Sequence, residues 1–498
     1  MHPFDSGVSS LSPRSEGDSL ASNGQAVSRV PPLCVDLDDT LIRTDLLAEG
    51  LIQFLRDHPT KVGALVRWFY RGRAPAKTEL ARWVTPAVEL LPYRASILDL
   101  IIQRREAGAK IVLATASPHA WAERVAAYLG LFDEVLATTE TTNLKGARKR
   151  DLLIERFGEK GFDYVGDSRA DIPIWDSCRV GYAIAGNRAL IKALPNQVQV
   201  VAQSHRSHTP PIRRWLRAIR AHQWAKNLLV LIPLIMAHEW RQVSLLGHSL
   251  AAFVSFSLAA SAIYLINDFV DLESDRGHRS KRHRPFASGE IGIGAGLVAS
   301  ALCLTGSVAL TPFTEPLFSV LLLLYLVTTS LYSFSLKRIP IVDIFVLASL
   351  YTLRIFAGAA ATAITVSPWL LAFSLFFFLG LASVKRYVEL DTSATSPSAS
   401  RRGYLPSDTA WIANLGMGTG LVSVLVLALY IQGPEVTTLY SHPSGLWFLS
   451  PLVLFWVSRV WFLAHRQQLH EDPVVFALRD PVSLVIGVLA AAVVLISI

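Results

Sequence analysis

Two groups of carboxylates in this sequence have the spacing of metal-assisted phosphate chemistry. In the first, "PLCVDLDDTLIRTD", a short β-branched strand runs into Asp36, and Asp38 points to the same face because side chains alternate along a strand. One such carboxylate can attack phosphorus while the other moves protons. A second apolar strand, "AKIVLATAS", ends at Thr115, whose hydroxyl can hold a phosphate oxygen. A third, "FDYVGDSRAD", ends in Asp167 and Asp171, which could complete a Mg²⁺ site.

These elements and a following lysine resemble, in this order, the haloacid dehalogenase (HAD) phosphohydrolase superfamily over about residues 30–200. The resemblance implies that Asp36 is the nucleophile that forms an aspartyl phosphate. It implies that Asp38 is the general acid and base, and that Thr115 binds phosphate. It also implies a Mg²⁺ ion held by Asp167, Asp36 and the carbonyl of Asp38. A degenerate domain that binds its ligand without catalysis is the alternative.

The lysine of this set is Lys145 or Lys149 in "NLKGARKRDLLIERF". We favour Lys149, which precedes a predicted helix with apolar residues at +3 and +4. Roughly 75 residues separate the first two elements and are predicted to be helical. This insertion, at about 45–100, resembles the helical cap of phosphoserine-phosphatase-like members.

The second group lies in "INDFVDLESDRGHRSKRHRPFASGE", where a long apolar run ends in acids. Asn267, Asp271 and Asp275 are four apart and therefore share one helix face. Bunched carboxylates near lipid are costly unless a cation joins them, and Mg²⁺ accepts carboxylates and substrate phosphates together. The basic residues that follow can donate to the remaining phosphate oxygens; they are Arg276, His278, Lys281 and Arg284. A solvated acidic loop is the alternative.

The 498 residues divide into a polar–apolar alternating half and a half of long apolar runs. The first 30 residues are Ser-rich and are predicted to be disordered, without the apolar core of a signal peptide. An α/β HAD-like (Rossmannoid) domain is predicted at 31–205, and an all-α polytopic membrane domain at 206–498. Its runs of roughly 20 residues predict about nine transmembrane helices, near 226–242, 245–267, 291–312, 315–334, 342–364, 368–384, 409–432, 445–464 and 480–498.

Basic residues beside these spans occur in every second loop. They include Arg213 to Lys226, Arg276 to Arg284, Lys337 with Arg338, Lys385 with Arg386, and Arg401 with Arg402. Positive charge marks the cytoplasmic side of a membrane protein. We therefore expect the HAD-like domain in the cytoplasm and the spans in a bacterial inner membrane.

The membrane half resembles the UbiA prenyltransferase superfamily over about residues 210–498, through "NDxxDxxxD" at the end of the second span. "RAHQWAKNLLVLIPL", "DRGHRSKRHRPFASGEI", "YSFSLKRIPIVDI", "LRIFAG" and "SVKRYVEL" are similar to one branch, the decaprenyl-phosphate phosphoribosyltransferases. Those enzymes join a polyprenyl phosphate to phosphoribosyl diphosphate and release diphosphate. The resemblance implies one Mg²⁺ ion in each active site. It also implies a set of substrate-binding residues, namely Lys226, Asn227, Arg276, His278, Lys281, Arg284, Tyr332, Lys337, Asp343, Arg354, Lys385, Arg386 and Glu389.

The sequence departs from the aromatic prenyltransferases of that superfamily, which carry a second acidic DxxxD motif. After the sixth predicted span this chain has "KRYVELD", and its cations suit a donor with an additional 5-phosphate. Lys385 and Glu389 could alternatively form a plain i,i+4 ion pair. Asp343 and Arg354 are eleven apart and share a face of the fifth span, where Arg354 would line a cavity or form a structural pair.

The sequence therefore predicts two successive steps on one lipid. Phosphoribose would pass from phosphoribosyl diphosphate to a polyprenyl phosphate in the bilayer, and the HAD-like domain would remove the 5-phosphate. Two alternatives are a prenyltransferase for an aromatic acceptor and a transporter with a regulatory soluble domain. No nucleic-acid partner is expected, and the oligomeric state is left open.

Overall fold

Six parallel strands of the N-terminal half form one sheet in the order β3-β2-β1-β4-β5-β6. The computed structural model describes residues 30–185, 188–203, 210–393, 403–469 and 472–498. The strands are β1 (Leu33–Val35), β2 (Ile111–Pro118), β3 (Glu134–Thr138), β4 (Asp163–Gly166), β5 (Gly181–Ala185) and β6 (Val198–Gln203). Because β2, β1 and β4 are parallel neighbours, their carboxyl ends meet at one edge of the sheet.

The predicted disordered segment, apart from residue 30, lies outside the described residues. So do the predicted domain boundary at 205–206 and the basic pair Arg401 and Arg402. The N-terminal helices are α1 (Leu46–Asp57), α2 (Val62–Tyr70), α3 (Arg73–Trp83), α4 (Ala95–Glu106), α5 (His119–Leu129), α6 (Ala147–Phe157), α7 (Ile172–Ser177), α8 (Arg188–Ile191) and α9 (Pro211–Ala218).

Helices α1, α2 and α3 lie where the cap is predicted. The ring of Phe54 contacts the rings of Trp68 and Trp83, at 5.2 and 6.0 Å between centroids, so aromatic packing joins the three helices. Helix α4 buries Ile97 and Ile101 in the apolar core that contains β1 and β2, and it returns the chain to the sheet.

The second half is helical, as its composition predicts. Its helices are α10 (Ile232–Met236), α11 (Val243–Val270), α12 (Leu272–Arg276), α13 (Ile293–Ala309), α14 (Pro316–Phe334), α15 (Val342–Thr362), α16 (Pro368–Ser393), α17 (Thr409–Ile431), α18 (Pro434–Leu439), α19 (Leu449–His465), α20 (Pro473–Ala477) and α21 (Pro481–Ser497). In the described chain, seven helical segments are long and apolar enough to cross a membrane, with first residues Val243, Ile293, Pro316, Val342, Pro368, Pro406 and Pro443. The protein is a multi-pass membrane protein.

The first and the last of the nine predicted spans do not form long helices. The last is α21, a shorter apolar helix. The first is divided into a 3₁₀ helix, Ala221–Leu231, and the five-residue α10. Pro233 lies in the first turn of α10, and His238 has a positive φ of 60° just after that helix. A proline in the first turn marks where a helix starts, and a left-handed residue commonly follows its end, so the two residues bound α10.

The 3₁₀ segment packs closely against α15. A Cβ on Gly358 would lie 1.9 Å from the carbonyl oxygen of Val230, so only glycine permits this contact. The contact brings Lys226 and Asn227, which belong to the same segment, to the polar side chains of α15 and α16.

Candidate active sites

The phosphatase-like site forms at the carboxyl edge of the sheet. Asp36 follows β1, and the ammonium of Lys149 donates to its Oδ1 at 2.7 Å and to the hydroxyl of Tyr164 at 3.0 Å. Lys149 is buried, whereas Lys145 is exposed. The geometry therefore favours Lys149 as the lysine of the set. It lies within the first turn of α6, not ahead of the helix.

Three carboxylates converge beside this lysine. Oxygens of Asp36, Asp167 and Asp171 all lie within 4.8 Å of one another. Thr40 donates to Asp167 at 3.2 Å, and Ser168 donates to Asp171 from its amide at 3.0 Å and its hydroxyl at 2.8 Å. Burial raises the pKa of Asp167 to about 8, and the negative charges of Asp36 and Asp171 add to the effect. Hard oxygen donors that repel one another in a buried position fit a Mg²⁺ ion.

Asp38 is held from two sides. The hydroxyl of Ser117 donates to its Oδ2 at 2.6 Å, and the backbone amide of Leu46 donates to its Oδ1 at 2.9 Å. Burial raises the pKa of Asp38 to about 7, with a further contribution from the charge of Asp45. A carboxyl group that titrates near neutral pH is suited to proton transfer.

The predicted phosphate-binding Thr115 lies inside β2, which continues to Pro118, and not at the strand end. Its Oγ1 accepts from the amide of Ser117 at 3.0 Å, and the residue is fully buried. Lys77 was not among the residues that the sequence pattern predicted for the site. This buried cap residue donates from Nζ to the carbonyl of Ala116 at 2.6 Å and to Oδ1 of Asn143 at 2.9 Å. Lys77 therefore connects α3, through these two hydrogen bonds, to the edge of the sheet where the site lies.

The acidic segment of the membrane domain continues helically from α11 into α12. The amide of Asp271 donates to the carbonyl of Asn267 at 2.9 Å, and the amide of Asp275 donates to that of Asp271 at 2.8 Å. The three side chains thus lie on successive turns, as predicted. The amide group of Asn267 donates to Ser333 at 3.0 Å, whereas the carboxylate of Asp271 accepts no hydrogen bond from the described residues.

Asp275 is buried and accepts from Arg284 at 2.5 Å. Within the described residues, the carboxylates of this segment do not gather into a three-ligand cluster like that of the phosphatase-like site. The oxygen donors of Asn267, Asp271 and Asp275 suit Mg²⁺ chemically. However, Arg284 already neutralises the third of them.

Two of the four predicted phosphate donors, Arg284 and Lys281, lie near Asp275, whereas the other two have different partners. Arg276 points to the cap and binds Glu49 through two nitrogens, at 2.6 and 2.9 Å, so its predicted role as a phosphate ligand does not fit its position. Arg284 also contacts Asp268. The Nδ1 of His278 lies 3.2 Å from the hydroxyl of Ser280, and Lys281 is exposed.

A second polar group lies between the 3₁₀ segment and the loop before α20. Asp472 accepts from Lys226 at 2.6 Å, from Lys385 at 3.3 Å and from the hydroxyl of Tyr351 at 3.3 Å. Burial raises the pKa of Asp472, but Lys385 and Lys226 outweigh that effect and hold it well below its usual range. Nothing in its local sequence identifies Asp472 as a site residue.

Asp343 and Arg354 share a helix but not a partner. Asp343 accepts from Arg386 at 2.5 and 2.8 Å and from Tyr332 at 2.8 Å. Arg354 instead donates to Oδ1 of Asn227 at 2.9 Å. The structure does not support the alternative of a structural pair between Asp343 and Arg354, because each binds a partner on another segment.

The alternative of an i,i+4 pair between Lys385 and Glu389 on α16 is not supported either, because each has a different partner. Glu389 accepts from Arg386, whereas Lys385 donates to Asp472. Lys337 lies after α14 in the short helix Leu336–Arg338 and is partly buried.

Residues 228–495, more than half of the chain, match the model of the UbiA prenyltransferase family. The chain belongs to the UbiA prenyltransferase family. Residues 33–175 match the family of haloacid dehalogenase-like hydrolases, so a HAD-like domain precedes the UbiA domain.

Three relatives are similar over most of their own length. Uncharacterized protein y4nM of Sinorhizobium fredii is 36% identical over 93% of this chain and 90% of its own. Nodulation protein NoeC of Azorhizobium caulinodans is 35% identical over 55% of this chain and 90% of its own. Decaprenyl-phosphate phosphoribosyltransferase of Mycobacterium tuberculosis is 32% identical over 54% of this chain and 88% of its own.

The UbiA domain also contains an apolar cavity of about 1120 Å³. Its lining includes Trp240, Trp369, Leu439 and Ile498, and it lies beyond the end of α15 opposite to Asp343. None of the predicted site residues lines it. The candidate transferase site is therefore the opposite end of the helices, where the acidic segment and the lysines of the Asp472 group lie.

Proposed function

We propose that the UbiA domain transfers phosphoribose from phosphoribosyl diphosphate to a polyprenyl phosphate, and that the HAD-like domain then removes the 5-phosphate. The name of the relative from Mycobacterium tuberculosis supports the first step. The charge of the site supports it too, because Lys385 and Arg386 lie where the family resemblance would place the second acidic motif of an aromatic prenyltransferase. A donor with phosphate at both ends of its ribose needs such cations.

In the transfer step, Asn267, Asp271 and Asp275 would hold Mg²⁺, which supplies positive charge to the departing diphosphate when it is bound. Asp271 offers a carboxylate that accepts no hydrogen bond from the described residues. Arg284 balances Asp275 and can donate to a phosphate oxygen in its place. A lipid phosphate oxygen then forms a bond to C1 of the ribose as the bond from C1 to the diphosphate breaks.

In the second step, Asp36 attacks the 5-phosphate and forms an aspartyl phosphate while the ribose oxygen leaves. Asp38 gives a proton to that oxygen and later takes one from the water that releases inorganic phosphate. Lys149 stabilises the carboxylate of Asp36, and Thr115 would hold a phosphate oxygen. Asp167 would share the Mg²⁺ ion with Asp36 and the carbonyl of Asp38.

One observation carries the proposal that the two steps act on one lipid: the ion pair of Glu49 and Arg276. It joins the cap of the HAD-like domain to the acidic segment of the UbiA domain, so a lipid-linked product has a short path to the second site. We propose that both sites face the cytoplasm of a bacterium at its inner membrane.

The decisive experiment supplies the purified protein with radiolabelled phosphoribosyl diphosphate, decaprenyl phosphate and Mg²⁺. Mass spectrometry of the lipids should find polyprenylphosphoryl ribose without a 5-phosphate. Labelled lipid that keeps its 5-phosphate would disprove the second step. Transfer of the prenyl group to an aromatic acceptor instead would disprove the first.

A further inference from the structure

Helix α1 belongs to the cap of the HAD-like domain but packs on the membrane domain. Ala48 and Ile52 of this helix join an apolar cluster that contains Leu265, Phe269 and Leu272. The cap therefore contributes to the core that surrounds the acidic end of α11.

Polar contacts fix the same interface. Glu49 and Arg276 form a two-pronged ion pair whose side chains are 15% and 6% exposed, and Nε of Arg276 donates to the carbonyl of Ala287 at 3.1 Å. Gly289 meets the chain before α1, where an added Cβ would lie 2.4 Å from the carbonyl oxygen of Arg43. Its φ of 70° also favours glycine. Charge, backbone and apolar contacts together hold α1 in one position.

The first turn of α1 also reaches the phosphatase-like site. The amide of Leu46 donates to Asp38 at 2.9 Å, and the hydroxyl of Thr44 donates to Glu49. Leu46 and Glu49 are three residues apart, a rise of about 4.5 Å along the helix. One helical turn thus contacts Asp38, the proposed proton-transfer residue of the first domain. The same turn also contacts Arg276, which directly follows Asp275 in the second domain.

We propose that Glu49 is a positioning residue for both reactions, because its pairing with Arg276 holds the turn that orients Asp38 and the segment that carries Asp271 and Asp275. This inference rests on the proposed function for its transfer arm and on the phosphatase chemistry alone for its other arm. Catalytic geometry is sensitive to shifts of about 1 Å, which can cost about 100-fold in rate.

The test uses the full chain in nanodiscs and two assays. Hydrolysis of p-nitrophenyl phosphate reports the HAD-like domain, and transfer from phosphoribosyl diphosphate to decaprenyl phosphate reports the UbiA domain. Glu49→Arg should lower kcat of both assays by about 100-fold. Combining it with Arg276→Glu should restore both to within about threefold of the wild type, since the pair is re-formed with reversed sign.

Glu49→Gln keeps the size of the side chain and removes only its charge. It therefore tests the proposal even if Glu49→Arg does not fold. It should lower kcat in both assays by about tenfold or more, with KM for p-nitrophenyl phosphate unchanged. Glu79→Arg is the matched control: Glu79 is a cap residue paired with Arg82 on an exposed face of α3, and both activities should be unchanged.

Full activity of Glu49→Gln and Glu49→Arg in both assays would overturn the proposal. So would recovery of hydrolysis without recovery of transfer in the double variant, because Arg276 would then bind substrate directly. If the wild type hydrolyses p-nitrophenyl phosphate but forms no lipid product, the proposed transfer reaction fails. In that case the hydrolysis assay by itself decides whether Glu49 positions Asp38.

Discussion

The ammonium of Lys226 lies 2.6 Å from the carboxylate of Asp472, although 246 positions separate the two residues. Lys385 contacts the same oxygen at 3.3 Å. One carboxylate therefore balances two cations that are predicted to bind substrate. The phosphate oxygens of the proposed donor would bring negative charge to the same two lysines.

We predict that Asp472→Asn destabilises the protein by about 3 kcal/mol, because two nearby ammonium groups lose their counter-charge. Inorganic diphosphate should recover more stability in this variant than in the wild type, since it replaces the lost negative charge. Thermal unfolding in detergent with and without diphosphate measures both effects. Glu239→Gln, a partly exposed acid between α10 and α11, serves as the control. Equal stabilisation of the variant and the wild type by diphosphate would contradict this account.

We predict that Asp36→Asn leaves transfer intact and stops the second step, so that lipid with a 5-phosphate accumulates. An amide cannot form the aspartyl phosphate, whereas the UbiA domain has its own ligands. The products are compared by lipid mass spectrometry after incubation with both substrates.

Asp39→Asn is the matched control for that experiment. Asp39 is exposed and has a φ of 54°, a conformation that asparagine adopts readily, so this change should leave both steps intact. A wild-type product that retains its 5-phosphate would mean that the HAD-like domain serves a different substrate.

We predict that Asp271→Ala abolishes transfer and leaves hydrolysis of p-nitrophenyl phosphate unchanged. Its carboxylate accepts no hydrogen bond from the described residues, so its loss removes charge from the site without breaking a hydrogen bond. Glu273→Gln alters a neighbouring acid in α12 and should preserve both activities. Normal transfer by Asp271→Ala would remove the acidic segment from the mechanism.

We predict that Mg²⁺ stabilises the HAD-like domain more at pH 8 than at pH 5. Burial raises the pKa of Asp36 to about 6 and that of Asp167 to about 8, both from 3.8. The folded state therefore keeps protons that the unfolded chain releases, and stability without metal falls as pH rises from about 4 to 8. A divalent cation replaces those protons and offsets the loss.

Thermal unfolding in Mg²⁺ and in EDTA at the two pH values measures this difference. Asp167→Asn should remove most of the additional stabilisation at pH 8, because it removes the carboxylate with the largest shift. An effect of Mg²⁺ that is the same at both pH values would contradict the assignment of these carboxylates to a metal site.

The sequence predicted the parts of the protein that depend on local pattern. Short apolar runs that end in polar residues identified β1, β2 and β4. Because these strands are parallel neighbours, their ends meet, and Asp36 and Asp167 converge. The helical spacing of Lys149 likewise favoured it over Lys145. Of the nine spans predicted from the length of the apolar runs, seven correspond to long apolar helices. The cap helices were predicted from the long insertion between β1 and β2.

The sequence did not predict contacts made between distant segments. The side-chain type of Arg276 and its place after the acidic segment suggested a phosphate ligand. Its partner is instead Glu49, which lies 227 positions away in another domain. Arg386 pairs with Asp343 on a different helix in addition to Glu389 on its own helix. Such pairs depend on how the helices pack. The spacing of residue types along a single sequence does not show which helix surfaces contact each other. The close approach of Gly358 to Val230 is another contact between distant segments that the sequence pattern did not predict.

The docking of α1 on the membrane domain determines which part of the molecule can move. In many enzymes a lid moves over a stationary catalytic body. Here one helix of the lid is fixed to the membrane-embedded part by an ion pair, a glycine contact and apolar packing. Any opening that preserves these contacts must move the six-stranded sheet relative to α1. The helical domain then serves as the fixed frame, and Asp36, the proposed nucleophile, moves relative to the acidic segment of that domain.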